Sequence, residues 1–176
     1  MKIKKGRDKL VFVFPQLGIA IKFARIHLLR AFITFFGDMI HLNFKWTYRR
    51  MNMSIDLRDF EGYPNLLLCG IVNNWREFRF FYKTKHPFLQ PTYFSFLGLF
   101  NIQKVSKICL VEQNSFKVQI RKITNNEAGY DHHFSNPANF CFDNGKLKIF
   151  DYGNKEVQET IINYGSKILK DFDQKT

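Results

Sequence analysis

Cysteine, proline and glycine are scarce in this chain, and their scarcity excludes several classes of protein. The 176 residues include only 3 Cys, 5 Pro and 10 Gly, which excludes a disulfide scaffold, a collagen-like repeat and a Pro/Gly-rich disordered chain. The cysteines, Cys69, Cys109 and Cys141, are far apart and have apolar neighbours. We therefore predict buried free thiols in a reducing compartment rather than disulfides or a zinc site.

Long hydrophobic runs are also missing. No segment reaches the roughly 18 uninterrupted apolar residues typical of a membrane-spanning helix, and the nearest stretch, 31–44, contains Asp38, His41 and Asn43. The short apolar run that follows the basic N-terminus ends at Pro15 without a small-residue cleavage site. The sequence predicts a cytoplasmic protein with no transmembrane segment.

Acidic residues are too few to balance the basic ones. The chain has 15 Asp+Glu against 27 Lys+Arg, a net charge of +12, while 45% of it is hydrophobic and 17% aromatic. This apolar content excludes intrinsic disorder, and the length fits one domain. The charge favours a polyanionic partner, such as nucleotide phosphates, nucleic acid or an anionic membrane face.

The first half of the chain predicts a hairpin and two helices. Two β-rich runs, 10–14 and 19–23, flank a turn that begins at Pro15. Residues 25–43 have helical apolar spacing with a potential break at Gly37, and we expect their apolar side to pack. A second helix, 75–82, would be capped by Asn73 or Asn74 and closed off by Pro87 and Pro91. The apolar positions of the first helix are Ile26, Leu29, Ile33, Phe36, Ile40 and Phe44.

The second half predicts strands, a polar loop, a hairpin and a final helix. We expect two or three strands, over 92–100, 107–112 and 116–123, and then a loop over 124–139. Asp143-Asn144-Gly145 between two short apolar runs is a strong hairpin signal. The last helix runs over 155–172.

The segment with the clearest chemistry begins at the end of the polar loop. Asn139 leaves the loop, the short hairpin follows, and Asp151-Tyr-Gly153 comes next. This order resembles the catalytic-loop and DFG regions of the protein-kinase-like superfamily. The resemblance implies that Asn139 and Asp151 hold Mg²⁺ against the phosphates of ATP.

Other parts of the resemblance appear in the same order along the chain. Ile19-Ala-Ile-Lys22 is similar to the strand whose lysine contacts the α- and β-phosphates, and Glu77 would be the ion-pair partner of Lys22. The segment Leu110-Val-Glu112 would lead into the hinge that binds adenine. Lys22, Glu77 and Glu112 are therefore the nucleotide-binding candidates.

The chain departs from the family pattern where the catalytic base and the glycine-rich loop are expected. Counting back from Asn139, Phe134 occupies the position of the usual aspartate. Asp131, His132 or His133 could substitute or support the loop, and the three could also form a transition-metal site. A rival register, which we favour less, uses Asp131 with Asn136. No glycine-rich loop precedes Lys22, so N-terminal lysines would grip the phosphates.

The resemblance implies an α+β, protein-kinase-like fold. It would have an antiparallel N-lobe sheet, a helix carrying Glu77 and a strongly reduced C-lobe, all in one domain over 1–176. Residues 1–123 would be N-lobe-like with an insert at 30–70, and 124–176 would hold the catalytic loop, the DFG-like segment and the C-terminal helix.

The predicted function is ATP and Mg²⁺ binding, with γ-phosphate transfer to a sugar, lipopolysaccharide or other anionic small-molecule acceptor. The alternatives are a non-catalytic pseudokinase and a basic nucleic-acid-binding module, since basic and aromatic residues interleave over 44–50 and 75–83. Helix 25–43 could also make a peripheral membrane contact.

Overall fold

The computed structural model describes residues 1–53, 62–128 and 133–172. Within these ranges the chain is α+β, with strands in two antiparallel sheets. The strands are β1 (Lys2–Lys5), β2 (Lys9–Phe14), β3 (Ile19–Ala24), β4 (Thr92–Phe96), β5 (Phe100–Lys104), β6 (Lys107–Ile108), β7 (Phe140–Asp143) and β8 (Lys146–Ile149). The helices are α1 (Leu28–Ile40), α2 (Phe44–Met51), α3 (Tyr63–Thr84), α4 (Gln113–Ile123) and α5 (Lys155–Asp171).

The first sheet has five strands in the order β1-β2-β3-β5-β4. The predicted first hairpin is confirmed as β2 and β3, joined by a short 3-10 turn that ends at Gly18 with φ 64°. Strand β1 was not predicted, because its sequence Lys-Ile-Lys-Lys has no apolar face and all four residues are exposed.

One predicted strand is wrong and two are shorter than predicted. The strand predicted over 92–100 is confirmed as β4 only, because the chain turns at Leu97 and Gly98, with φ 49° and 77°, into β5. The strand predicted over 116–123 is helix α4, whose buried side chains Phe116, Ile120 and Ile123 have helical spacing. The strand predicted over 107–112 is reduced to β6.

Helix α3 is much longer than predicted and crosses the first sheet. It has 22 residues, so Asn73 and Asn74 lie inside it rather than at its N-terminus. The Asn74 amide nitrogen donates to the carbonyl oxygens of Lys22 and Gly98, and Asn101 donates to the Asn74 carbonyl oxygen. These buried bonds fix α3 against β3 and β5 and set the rotation of Glu77, three residues further along the helix.

The second sheet, β6-β7-β8, packs with α4 and α5 around the main hydrophobic core. The hairpin predicted at Asp143-Asn144-Gly145 is confirmed, with left-handed φ values of 51° at Asn144 and 74° at Gly145. The last predicted helix is confirmed as α5, which Asn154 caps. The core is built mainly from Phe88, Phe116, Ile120, Phe134, Phe140, Ile149, Tyr152, Val157, Ile161 and Ile168.

All three cysteines are free and buried, as predicted. Burial raises the pKa of Cys69 and of Cys141 to about 12, which keeps both thiols protonated near neutral pH.

Helix α1 differs from the prediction in its packing. It is continuous through Gly37, but Ala31 is its only buried residue. The apolar side that we expected to pack is exposed along the whole helix. No helix in the described ranges is both long and apolar enough to span a membrane.

Candidate functional site

A cleft of about 750 Å³ separates the two sheets. From the first sheet, Lys9 on β2 and Lys22 on β3 point into it. Asn139 and Asp151, which flank the hairpin of β7 and β8, line the opposite side. The fold therefore brings together residues that lie as much as 142 positions apart.

Lys22 lines the cleft, and Glu77 forms an ion pair with it from the protein interior. Lys22 Nζ lies 2.5 Å from Glu77 Oε1, and Glu77 is fully buried. Gln103 Nε2 also donates to Glu77 Oε1, at 3.1 Å, and Lys22 Nζ donates to the Phe150 carbonyl oxygen. Glu77 is therefore not a surface carboxylate that pairs along its own helix.

Lys9 is a site residue that the sequence analysis missed. Its Nζ lies 2.7 Å from Glu77 Oε2 and 3.0 Å from Asp151 Oδ1, so it joins the two carboxylates. The pairing of β2 with β3 places Lys9 on the same face of the sheet as Lys22. Lys22 pairs with Val11, and Lys9, two residues before Val11, shares its face of the sheet.

Opposite charges and burial set the protonation of this network. Burial lowers the pKa of Lys22, and Glu77 opposes that effect. Burial also disfavours the charged forms of Lys9 and Asp151, but Asp151 and Glu77 raise the pKa of Lys9 on balance. The cations of Lys9 and Lys22 hold the pKa of Asp151 well below its usual range.

Asp151 and Asn139 offer oxygen atoms suited to a hard cation. The Asp151 side chain is 32% exposed, and its Oδ2 lies 3.9 Å from His133 Nδ1. Asn139 uses its amide nitrogen to donate to the His133 carbonyl oxygen at 3.1 Å, so its amide oxygen is the atom available to a metal. A carboxylate and an amide oxygen fit Mg²⁺, which takes its remaining ligands from water and phosphate. Lys9 would have to share the carboxylate with the ion.

The two residues after Asp151 anchor it. The Tyr152 hydroxyl is fully buried, donates to the Gln90 carbonyl oxygen and shares a hydrogen bond with Thr92. A Cβ at Gly153 would lie 1.5 Å from Asn73 Oδ1, so only glycine fits against α3 there. Asp151 does not cap α5, because Asn154 has that role.

The candidates for the catalytic base are only partly described. Phe134 is fully buried against Phe140, so it belongs to the core. His133 lines the cleft, whereas Asp131 and His132 lie outside the described residues. Asn136, from the rival register, also lines the cleft, but its side-chain oxygen accepts the Ala138 amide at 3.0 Å.

Glu112, a predicted nucleotide-binding residue, is not among the residues that line the cleft. It caps α4, with its carboxylate accepting the amides of Asn114 and Ser115 at 3.0 Å each, and its role in nucleotide binding stays a prediction. The chain reaches the cleft edge earlier, after β5, where Val105 and Ser106 line it. The sequence did not place Val105 and Ser106 at the cleft edge, because β5 was not recognised as a strand separate from β4.

Comparison with known proteins gave no relative: no family model, no curated protein and no solved structure matches this chain.

Proposed function

We propose that this chain is a kinase-like protein that binds ATP with Mg²⁺ in the cleft between its two sheets. One observation supports the proposal above all. The family resemblance selects four residues from distant parts of the sequence. Lys22, Asn139 and Asp151 line this cleft, and the fourth, Glu77, pairs with Lys22. If Lys22 were an ordinary solvated lysine and Asp151 an ordinary turn aspartate, we would not expect them to lie in one cleft.

The cationic residues would bind phosphate, and the residues with side-chain oxygens would bind Mg²⁺. Lys22, held by Glu77, and Lys9 present ammonium groups to the phosphate oxygens. Asp151 and Asn139 would hold Mg²⁺, which neutralises the charge of the β- and γ-phosphates. Lys9 and the cationic strand β1, whose Lys2, Lys4 and Lys5 line the cleft, take the place of the missing glycine-rich loop.

Nucleotide binding is tested by thermal unfolding of the full chain with ATP, with and without Mg²⁺. A ligand that binds only the folded state stabilises it by about 2.7 kcal/mol at a hundred times its Kd. We expect Mg·ATP to raise the Tm of wild type and of the exposed control Asp171→Asn, and to have little effect on Asp151→Asn. The absence of a shift in wild type rejects the proposal; an equal shift in Asp151→Asn rejects only the role of Asp151.

The second step is transfer of the γ-phosphate to a sugar, lipopolysaccharide or other small anionic acceptor. Positioning and charge neutralisation supply most of the acceleration in phosphoryl transfer, and His133 remains in the cleft as a proton acceptor. Turnover of labelled ATP that is lost in His133→Ala or Asp131→Ala supports a kinase.

A non-catalytic pseudokinase is the second candidate, and buried Phe134 favours it. Nucleotide binding without turnover on any acceptor supports this alternative. The prediction of nucleic-acid binding is tested separately by affinity for single-stranded RNA, which should fall steeply with salt.

A further inference from the structure

Helix α1 carries an apolar face that is exposed in the part of the chain that the structure describes. We define this face by five side chains that lie within about a third of the helix circumference at its 3.6-residue period. Their exposed fractions range from 46% to 75%. The five are Leu29, Phe32, Ile33, Phe36 and Ile40. A helix packed into a domain buries such a stripe, whereas this stripe is exposed among the described residues.

The next helix, α2, extends the surface with aromatic and basic residues. Trp46, Tyr48 and Met51 are exposed, and the Arg49 guanidinium lies 5.1 Å from the centre of the Trp46 ring. Trp and Tyr are enriched at membrane–water interfaces, where an apolar ring body meets polar headgroups.

The charged residues of the segment that carries the apolar face, 25–53, are almost all positive. Asp38 is the sole acidic residue over 25–53. It is already engaged, because it accepts the Tyr63 hydroxyl at 2.9 Å and lies 3.5 Å from the Arg50 guanidinium. The basic residues of this stretch are Arg25, Arg30, Lys45, Arg49 and Arg50.

We propose that the apolar face of α1 docks on an anionic lipid surface, with the helix lying in the membrane plane. The 13 residues of α1 extend only about 20 Å, too short to cross a hydrocarbon core of about 30 Å. Burial of the exposed apolar area favours binding, and the flanking cations attract the anionic headgroups. The cations disfavour a second copy of the chain as the occupant, because two such faces would repel.

The first test is flotation of the full chain with vesicles of phosphatidylcholine, with and without phosphatidylglycerol, at low and high salt. We expect binding to the phosphatidylglycerol vesicles that weakens with salt. The triple variant Leu29→Asn, Ile33→Asn, Phe36→Asn should bind at least about tenfold more weakly, since burying one large apolar side chain stabilises by about 1.5–3 kcal/mol. The control is Leu110→Asn, Val118→Asn, Ile162→Asn, which changes three apolar residues of similar or greater exposure on other surfaces.

Charge is tested with a second pair of variants. Lys45→Gln with Arg49→Gln should reduce binding to phosphatidylglycerol vesicles, whereas Lys167→Gln with Lys170→Gln on α5 should not. Equal losses in both pairs would show that overall charge alone drives binding, and the proposal would fail.

A spectroscopic readout does not depend on the folding of the triple variant. The chain has two tryptophans, so Trp75→Phe leaves Trp46 as the reporter. Its emission should shift to the blue with phosphatidylglycerol vesicles and be quenched by lipids brominated on their acyl chains. No shift and no flotation with the wild-type chain overturn the proposal. So does a dimer that forms through α1 without vesicle binding, which would identify the face as a protein interface.

Discussion

Glu77 is the residue on which the ion network depends, because one fully buried carboxylate serves two ammonium groups. A buried ion pair adds little net stability when it is complete, since removal of both charges from water offsets their attraction. Removing one member has a large cost, because the charges that remain are still buried. The net stability that Glu77 contributes is therefore smaller than the stability lost when it is replaced, because two buried ammonium groups would remain without a counter-charge.

The variant Glu77→Gln tests this role. The neutral amide leaves Lys9 and Lys22 without their shared counter-charge, and we expect the free energy of unfolding to fall by about 3–5 kcal/mol. Urea denaturation of the variant measures the loss. Glu159→Gln, at an exposed position of α5, is the control and should unfold like wild type. A wild-type midpoint in Glu77→Gln would contradict the buried network.

Gly153 gives a second test at the scale of one residue. A Cβ there would lie 2.6 Å from the Asn73 carbonyl oxygen as well as colliding with the Asn73 side chain. We expect Gly153→Ala to lower the free energy of unfolding by about 3 kcal/mol or more, because the helix backbone cannot move aside.

Gly37→Ala is the matched control for this substitution. A Cβ at Gly37 meets nothing within 4 Å, and alanine favours the helix by about 1 kcal/mol. The two alanine variants should thus change stability in opposite directions. Chemical denaturation measures the free energy of unfolding of both variants. An unchanged value for Gly153→Ala would contradict the close approach of this segment to α3.

At the scale of elements, the sequence predicted those with strong local signals. The hairpin at Asn144-Gly145 needs left-handed backbone that these residue types tolerate, and α5 has a regular apolar period. Helix α4 was misread because Phe116-Lys-Val-Gln-Ile120 alternates like a strand, although it buries residues at helical spacing. Strand β1 could not be predicted, because it is held by pairing with β2 and not by burial.

The candidate site was predictable to the extent that local motifs carried it. Lys22 and Asp151 sit in short recognisable patterns, and both reach the cleft. Lys9 has no motif, and only the strand register reveals it. The strand predicted to end at Glu112 does not form over its full length, because Glu112 lies at the N-terminus of α4.

The attachment of α3 to the first sheet gives a prediction at this scale. The Asn74 side chain joins the helix to β3 and to the turn at Gly98. Asn74→Ala should lower the free energy of unfolding by about 1–3 kcal/mol, because buried carbonyl groups lose a donor. It should also weaken any nucleotide effect on Tm, since Glu77 would be held less firmly. Asn163→Ala, at an exposed position of α5, should change neither quantity.

At the scale of the whole molecule, the placement of charge determines how stability responds to acid. Lys9 and Lys22 hold the pKa of Asp151 below its value in an unfolded chain, which is about 3.9. The ionised carboxylate therefore stabilises the fold fully above that pH. This contribution is lost as the pH falls from there toward the folded-state pKa.

We expect the stability of wild type to decline more steeply with falling pH below about 4 than that of Asp151→Asn. Urea midpoints measured across this acidic range give the two slopes. Parallel slopes would show that Asp151 is not coupled to the two lysines. Asp171→Asn, in which the substituted carboxylate is exposed, should keep the wild-type slope.

Strand β1 has a further consequence for the protein in a crowded solution. It is one edge of the five-stranded sheet, and an unpaired edge is a template for strands of other chains. Three of its four residues are lysine, and a row of ammonium groups repels a second cationic chain. The opposite edge, β4, has an irregular register between Thr92 and Phe94 that interrupts regular pairing. The lysines that rim the cleft thus also protect the sheet from aggregation.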